Sequence, residues 1–221
     1  MNYLLVDTET VGLNPPKQGS GVVQIAWLVL DSWGEIQSEH NHMVNPEAPI
    51  HPEASKVHGI YDKDVVDCPK LSDVFAPTGA CIQVSHNAVF DLRFVANCYE
   101  NLVGQVCTLE LARQLIPNAP NHKLTTLVEY LDLTSFKAHD ALGDVRATQE
   151  LLQTLIQATG KDLDGLAQMC ATPKVVYTMP FGKHKGQPIH KLPLSYIKYF
   201  EDKEIDHNLR LAFNQQLLIR G

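Results

Sequence analysis

The first residues hold the tightest constraint on the fold: an apolar run from Tyr3 to Asp7 reads as a buried strand and ends in an acid, with a second acid two positions later in Asp7-Thr8-Glu9. Alternate side chains of a strand share a face, so Asp7 and Glu9 point the same way from backbone positions roughly 6–7 Å apart. Taken alone, Asp-x-Glu is a weak signal, more often a solvated strand end than a site. Two further acids narrow the choice. In a helix starting at Ala88, Asp91 shares a face with Phe94, Val95 and Cys98. In a helix starting near Ala141, Asp144 lines up with Thr148, Leu151 and Leu155. Both acids occupy a first helical turn, where the dipole favours negative charge. Both also face inward, where a carboxylate is unfavourable unless paired or bound to a cation.

Clustered acids repel one another, and a low-dielectric sheet edge strengthens the repulsion. Hard divalent cations relieve it, and an all-oxygen ligand set suits Mg²⁺ or Mn²⁺ better than Zn²⁺. Two such ions about 3.5–4 Å apart are a general arrangement for phosphodiester hydrolysis.

The remaining pattern says what sheet could gather these groups. Val22–Asp31 and Ile36–Val44 read as strands joined through Ser32-Trp33-Gly34-Glu35, and Cys81–Ser85 and a short Val106–Cys107 as two more. Helices are predicted at Pro52–Val57, Leu71–Phe75, Ala88–Glu100, Leu109–Ile116, Leu124–Leu131 and Ala141–Ala158. Hairpin strands followed by alternating strands and helices predict an α/β sheet of mixed direction. After about Ala171 the character changes. Thr172-Pro173-Lys174 reads as a linker to a small module (174–221), with helices at Leu194–Asp202 and His207–Leu218. The division expected is a main domain over 1–171 and this appendage.

Net charge is −7 over 221 residues, and it is unevenly spread. Residues 174–221 hold eight Lys/Arg and four Asp/Glu, a net of +4, leaving ten and twenty-one, a net of −11, in residues 1–173. An acidic body can still meet a phosphate chain where bound cations reverse the local field, and the basic tail could add salt-sensitive backbone attraction. Five scattered cysteines without a C-x-x-C spacing argue against a disulfide framework or zinc site, and suit a reducing cytoplasm. No apolar run approaches the roughly 20 residues that would span a bilayer, so no membrane partner is expected.

Three segments carry a resemblance. Asp7-Thr8-Glu9-Thr10, His86-Asn87-Ala88-Val89-Phe90-Asp91 and His139-Asp140-Ala141-Leu142-Gly143-Asp144 resemble, in order over about residues 1–158, the motifs of the DnaQ-like DEDD exonucleases. His139 stands five residues before the last acid, as in the histidine subclass; the tyrosine subclass carries Tyr where this chain has Asp140. The resemblance implies a ribonuclease H-like sheet flanked by helices, and two Mg²⁺ or Mn²⁺ ions held by Asp7, Glu9, Asp91 and Asp144. It also implies His139 as the base that activates the attacking water, a role a neutral imidazole suits at neutral pH. Without the motif His139 would be a loop residue ahead of a helix capped by Asp140. The substrate implied is DNA with a free 3′ end, single- or double-stranded, in a repair role; RNA, a polymerase proofreading subunit and a non-catalytic nucleic-acid-binding accessory protein stay open.

By the same resemblance, Thr8 would donate to the terminal 3′-hydroxyl, Leu13 would wedge against the last base, and Asn87 and Phe90 would contact phosphate or sugar and stack on a base. His58-Gly59-Ile60 is similar to a His-Gly-Ile segment near the pocket of relatives. Leu13 and Phe90 are as readily plain core residues. Phe181-Gly182-Lys183-His184-Lys185-Gly186 resembles the small C-terminal α+β module of exonuclease X-like bacterial proteins, with Lys183 and Lys185 placed to track phosphates or simply solvated.

Overall fold

In the computed structural model, which describes residues 1–134, 136–172, 176–203 and 205–221, the first strand lies at the centre of the sheet. β1 (Asn2–Thr10) is apolar on both faces from Tyr3 to Val6, the mark of a central strand. It pairs antiparallel with β2 (Val22–Leu30), which pairs antiparallel with β3 (Ile36–Met43). The β2–β3 turn is built by Asp31, whose carboxylate accepts from the amides of Trp33 and Glu35, and by Gly34 at φ +79°.

The chain then runs through three short helices, α1 (Pro52–His58), α2 (Asp62–Val65) and α3 (Leu71–Val74), before β4 (Ala80–Ser85) enters parallel to β1. α4 (Ala88–Val95) follows, then β5 (Asn101–Cys107) parallel to β4, giving the order β3-β2-β1-β4-β5. Helices α5 (Thr108–Leu115), α6 (Leu124–Tyr130), α7 (Ala141–Thr159) and α8 (Leu163–Ala171) complete this part. It is the ribonuclease H-like mixed sheet flanked by helices.

The two faces of β1 feed separate cores. Tyr3 and Leu5 pack with Leu28, Leu151, Leu155 and other residues of the α5–α8 side. Leu4 and Val6 pack with Trp27, Phe75, Phe94 and Val95 on the α4 side. This alternation decides where each acid goes.

Some bounds differ from the sequence reading. The helix expected to run from Ala88 to Glu100 ends at Val95 and tightens into a 3₁₀ turn at Ala96–Cys98, because β5 begins at Asn101 and the chain must reverse. The strand expected at Val106–Cys107 starts five residues earlier. Its first part, with Asn101, Gly104 and Gln105, is poor in strand-favouring residues and belongs to a sheet edge. α2 and α8 carry no counterpart in the sequence reading.

Thr172–Gly221 forms a second compact unit, separate from Met1–Ala171. Pro173 and Lys174 of the expected linker lie outside the described residues. The unit has its own core of Met179, Ile189, Leu192, Ile197, Leu209 and Phe213. Its helices are α9 (Leu194–Lys198), four residues shorter than expected, and α10 (His207–Arg220), whose first turn is capped by the Asp206 carboxylate. Among the described residues its β content is one isolated bridge, Thr178–Pro188, so the expected α+β module is mainly helical here. No helix of the described residues is long and apolar enough to cross a membrane.

Candidate active site

Strand alternation places Asp7 and Glu9 on the face of Tyr3 and Leu5, toward α7, and leaves Thr8 on the α4 face. The first turn of α7 carries Asp144 to the same spot. Ligand oxygens of Asp7, Glu9 and Asp144 lie within 4.8 Å of one another. Asp91, from the first turn of α4, meets β1 from the other face: its Oδ1 accepts from the Thr8 amide at 3.1 Å and from Thr8 Oγ1 at 2.9 Å. The structure therefore brings all four predicted acids to one pocket, three as a tight group and the fourth tied in through Thr8.

Their protonation shows the strain of that assembly. Burial, then the charges of Asp91 and Asp144, push Asp7 well above the usual carboxylate range. Burial raises Glu9 to about 8, with Asp144 adding to it. Burial raises Asp91 to about 7 despite the two Thr8 hydrogen bonds, which favour the ionised form. Asp144 rises to about 6 through burial, held back by His139 and by the backbone amides at the start of α7. No lysine or arginine lines the pocket among the described residues. Oxygen-only ligands, crowded and unpaired, fit a hard divalent cation.

The helix that delivers Asp144 is fixed at its first turn. Asp140 caps it, accepting from the Gly143 amide at 3.2 Å, and the Asp140 amide donates to Asp144 Oδ2 at 3.2 Å. Gln24, which faces Glu9 in the β1–β2 register, accepts from the Ala141 amide through Oε1 and donates to Asp140 through Nε2. This buried glutamine was missed in the sequence reading. Its signal was available: it is a polar residue inside the otherwise apolar stretch Val22–Leu30.

The pocket measures about 700 Å³ and is walled by β1, the β1–β2 loop, α1 and α4. Leu13 is 78% exposed and stands on its rim, so the core alternative for this residue does not hold. Phe90 lines the same pocket with its ring 5.4 Å from Phe94. Thr8 lines it too, and its hydroxyl donates to Asp91 Oδ1. His58 is on the wall with both nitrogens engaged: Nδ1 accepts from the Ile60 amide and Nε2 donates to the Thr10 carbonyl, pinning α1 to the end of β1. Burial lowers its pKa and keeps it neutral. Asn87, exposed at φ +74°, lines a neighbouring groove instead of this pocket. His139 is exposed and borders both cavities. Lys183 and Lys185 belong to the second unit, where both are exposed and Lys183 Nζ lies 5.3 Å from the centre of the Tyr196 ring.

A mixed sheet whose central strand and two helix starts converge their acids on one open pocket defines a nuclease-type hydrolase site. A family model described as Exonuclease (RNase_T) matches residues 4–152. Exodeoxyribonuclease 10 of Escherichia coli (strain K12) is 31% identical over 201 residues, covering 84% of this chain and 82% of that protein. The chain belongs to the DnaQ-like exonuclease family. A structure of exonuclease X in complex with 5′ overhanging duplex DNA superposes with a TM-score of 0.64 at 30% identity, over 76% of this chain and 98% of that one. The PolC-type DNA polymerase III of Oceanobacillus iheyensis is 32% identical over 165 residues, which are 70% of this chain and 11% of the polymerase. A second model, described as a putative quorum-sensing-regulated virulence factor, matches residues 167–208.

Proposed function

We propose that the protein is a 3′→5′ exodeoxyribonuclease of the histidine subclass that uses two divalent ions, Mg²⁺ or Mn²⁺, and releases 5′-mononucleotides. The observation that carries it is the tight group of Asp7, Glu9 and Asp144, with Asp91 beside it and no lysine or arginine lining the pocket among the described residues. Those four carboxylates would hold the ions. Bound there, the ions would acidify the attacking water and offset charge building on the scissile phosphate. Leu13 and Phe90 would hold the last nucleotide from the rim and wall of the pocket. His139 would take the proton as the water oxygen bonds to phosphorus and the bond to the 3′-oxygen of the preceding nucleotide breaks. DNA is favoured over RNA by the substrates named for Exodeoxyribonuclease 10 and the exonuclease X complex.

The test is direct. Incubation with Mn²⁺ or Mg²⁺ and labelled single-stranded DNA, 5′-overhanging duplex DNA and RNA should release mononucleotides from the DNA, and Asp7→Ala should release none. Digestion of RNA alone would reassign the substrate, and no digestion of any strand would sink the enzyme reading.

The second unit is proposed as a nucleic-acid-binding module. Exposed Tyr177, Phe181 and Tyr199 offer stacking faces, and Lys183 and Lys185 lie on a glycine-bounded turn. Both units have separate cores, so truncation after Ala171 should leave a folded domain. That domain should bind single-stranded DNA about tenfold more weakly at ~0.1 M salt and with a shallower salt dependence. Equal affinity and slope in a truncation that still melts cooperatively would remove the assignment.

A further inference from the structure

A groove of about 710 Å³ adjoins the catalytic pocket and shares His86, Leu124, His139 and Asp144 with it. Beyond that shared wall its character reverses. Arg113, near the end of α5, and Lys123, at the start of α6, line it together with the side-chain amides of Asn87 and Asn121. Both cations are exposed, and neither has a side-chain ion pair or hydrogen bond among the described residues. They stand on a body whose net charge is −11, beside a pocket that no lysine or arginine lines among the described residues.

The groove wall is also cross-linked by hydrogen bonds. His86, the first residue of the segment that carries Asp91, donates through Nε2 to the His122 carbonyl at 3.0 Å and accepts through Nδ1 from the Thr108 hydroxyl at 3.0 Å. Burial lowers His86 to about 4, so the ring stays neutral and keeps those roles. His122 in turn donates to the Ile116 carbonyl, and the Lys123 amide donates to Asn121 Oδ1. The loop bearing Lys123 is thereby tied to the segment that delivers Asp91.

We propose that this groove receives the sugar–phosphate backbone of the substrate strand on the far side of the scissile bond, with Arg113 and Lys123 contacting phosphates there. The proposal rests on the exonuclease reading above. If the terminal nucleotide fills the pocket lined by Leu13 and Phe90, the scissile phosphate lies over the carboxylates. The rest of the strand must then leave past His139 and Asp144, which are the border between the two cavities. Unpaired cations with flanking amides are the chemistry that holds phosphates without reading bases.

The experiment compares two substrates. The p-nitrophenyl ester of thymidine 5′-monophosphate needs only the catalytic centre and the nucleotide pocket; a 20-nucleotide single strand, deoxy or ribo as the wild type prefers, also needs the groove. Arg113→Ala/Lys123→Ala should raise KM for the oligonucleotide by roughly 10–100-fold and lower its log–log salt slope by about 1–2. Kinetics on the ester should be unchanged, and Arg113→Lys should keep most of the oligonucleotide affinity. Unchanged oligonucleotide kinetics, or an equal loss on both substrates, overturns the groove. A wild-type protein inactive on both substrates removes the exonuclease reading, and the groove with it.

Discussion

Glu9→Gln should raise the Tm of the metal-free protein at pH 8 by about 10 °C while lowering turnover by roughly 10²-fold or more. Glu9 is 9% exposed, and burial with Asp144 nearby moves its pKa from 4.5 to about 8. The folded state therefore binds this proton more tightly than the unfolded chain does, and stability falls as pH rises. The stabilisation is complete below about pH 4.5 and is lost as pH climbs through 8. Between pH 5 and 8 this one group accounts for roughly 3 kcal/mol, and about 2–4 °C per kcal/mol for a domain of this size gives the shift in Tm. Glutamine keeps the volume and cannot ionise. Calorimetry in chelator should show the wild-type Tm dropping from pH 5 to pH 8, with a flatter profile for the variant, since Asp7, Asp91 and Asp144 remain raised. Mg²⁺ or Mn²⁺ should restore the wild type at pH 8 far more than the variant. A wild-type Tm that holds level or rises over that range without metal would sink the account.

That instability explains why the acids were the most legible feature of the sequence. Period-two alternation puts Asp7 and Glu9 on one face and period-3.6 placement puts Asp91 and Asp144 on inward faces, and the three-motif resemblance joined to that placement singled out all four. Sequence could not show that Thr8, on the opposite face of β1, would meet Asp91 and donate its hydroxyl there. Side-chain commitments of that kind depend on which helix covers which face. The same limit hid Gln24, whose partner at the start of α7 is 117 positions away. It also hid Arg113 and Lys123, ordinary surface cations until α5 and α6 bring them to the rim of one groove. Leu13 shows another limit, since hydrophobicity fitted a core residue as readily as a base wedge, while the structure sets it 78% exposed on the pocket rim. Helix ends failed where tertiary demands overrode local preference, as at Val95, where the coming edge strand stops α4.

His139→Ala should lower kcat by roughly 10²–10⁴-fold and leave Mn²⁺ affinity, read by calorimetric titration, within about twofold. His139 sits one residue before the cap of α7 with φ +61°, a left-handed conformation that a non-glycine residue adopts at a cost of order 1 kcal/mol. The loop holds that conformation although nothing in the protein needs an imidazole at this exposed position for packing. The strained backbone leaves the ring at the border of both cavities, with its charge felt by Asp144. Asp140 and Gln24 fix the start of α7 without it, so deleting the ring should leave the carboxylates in place. A second variant separates catalysis from structure. His139→Gly removes both the ring and the backbone strain, so it should be more stable than wild type by up to about 1 kcal/mol, yet as inactive as His139→Ala. Wild-type turnover in either protein would take the base assignment away from His139 and leave only the carboxylate centre.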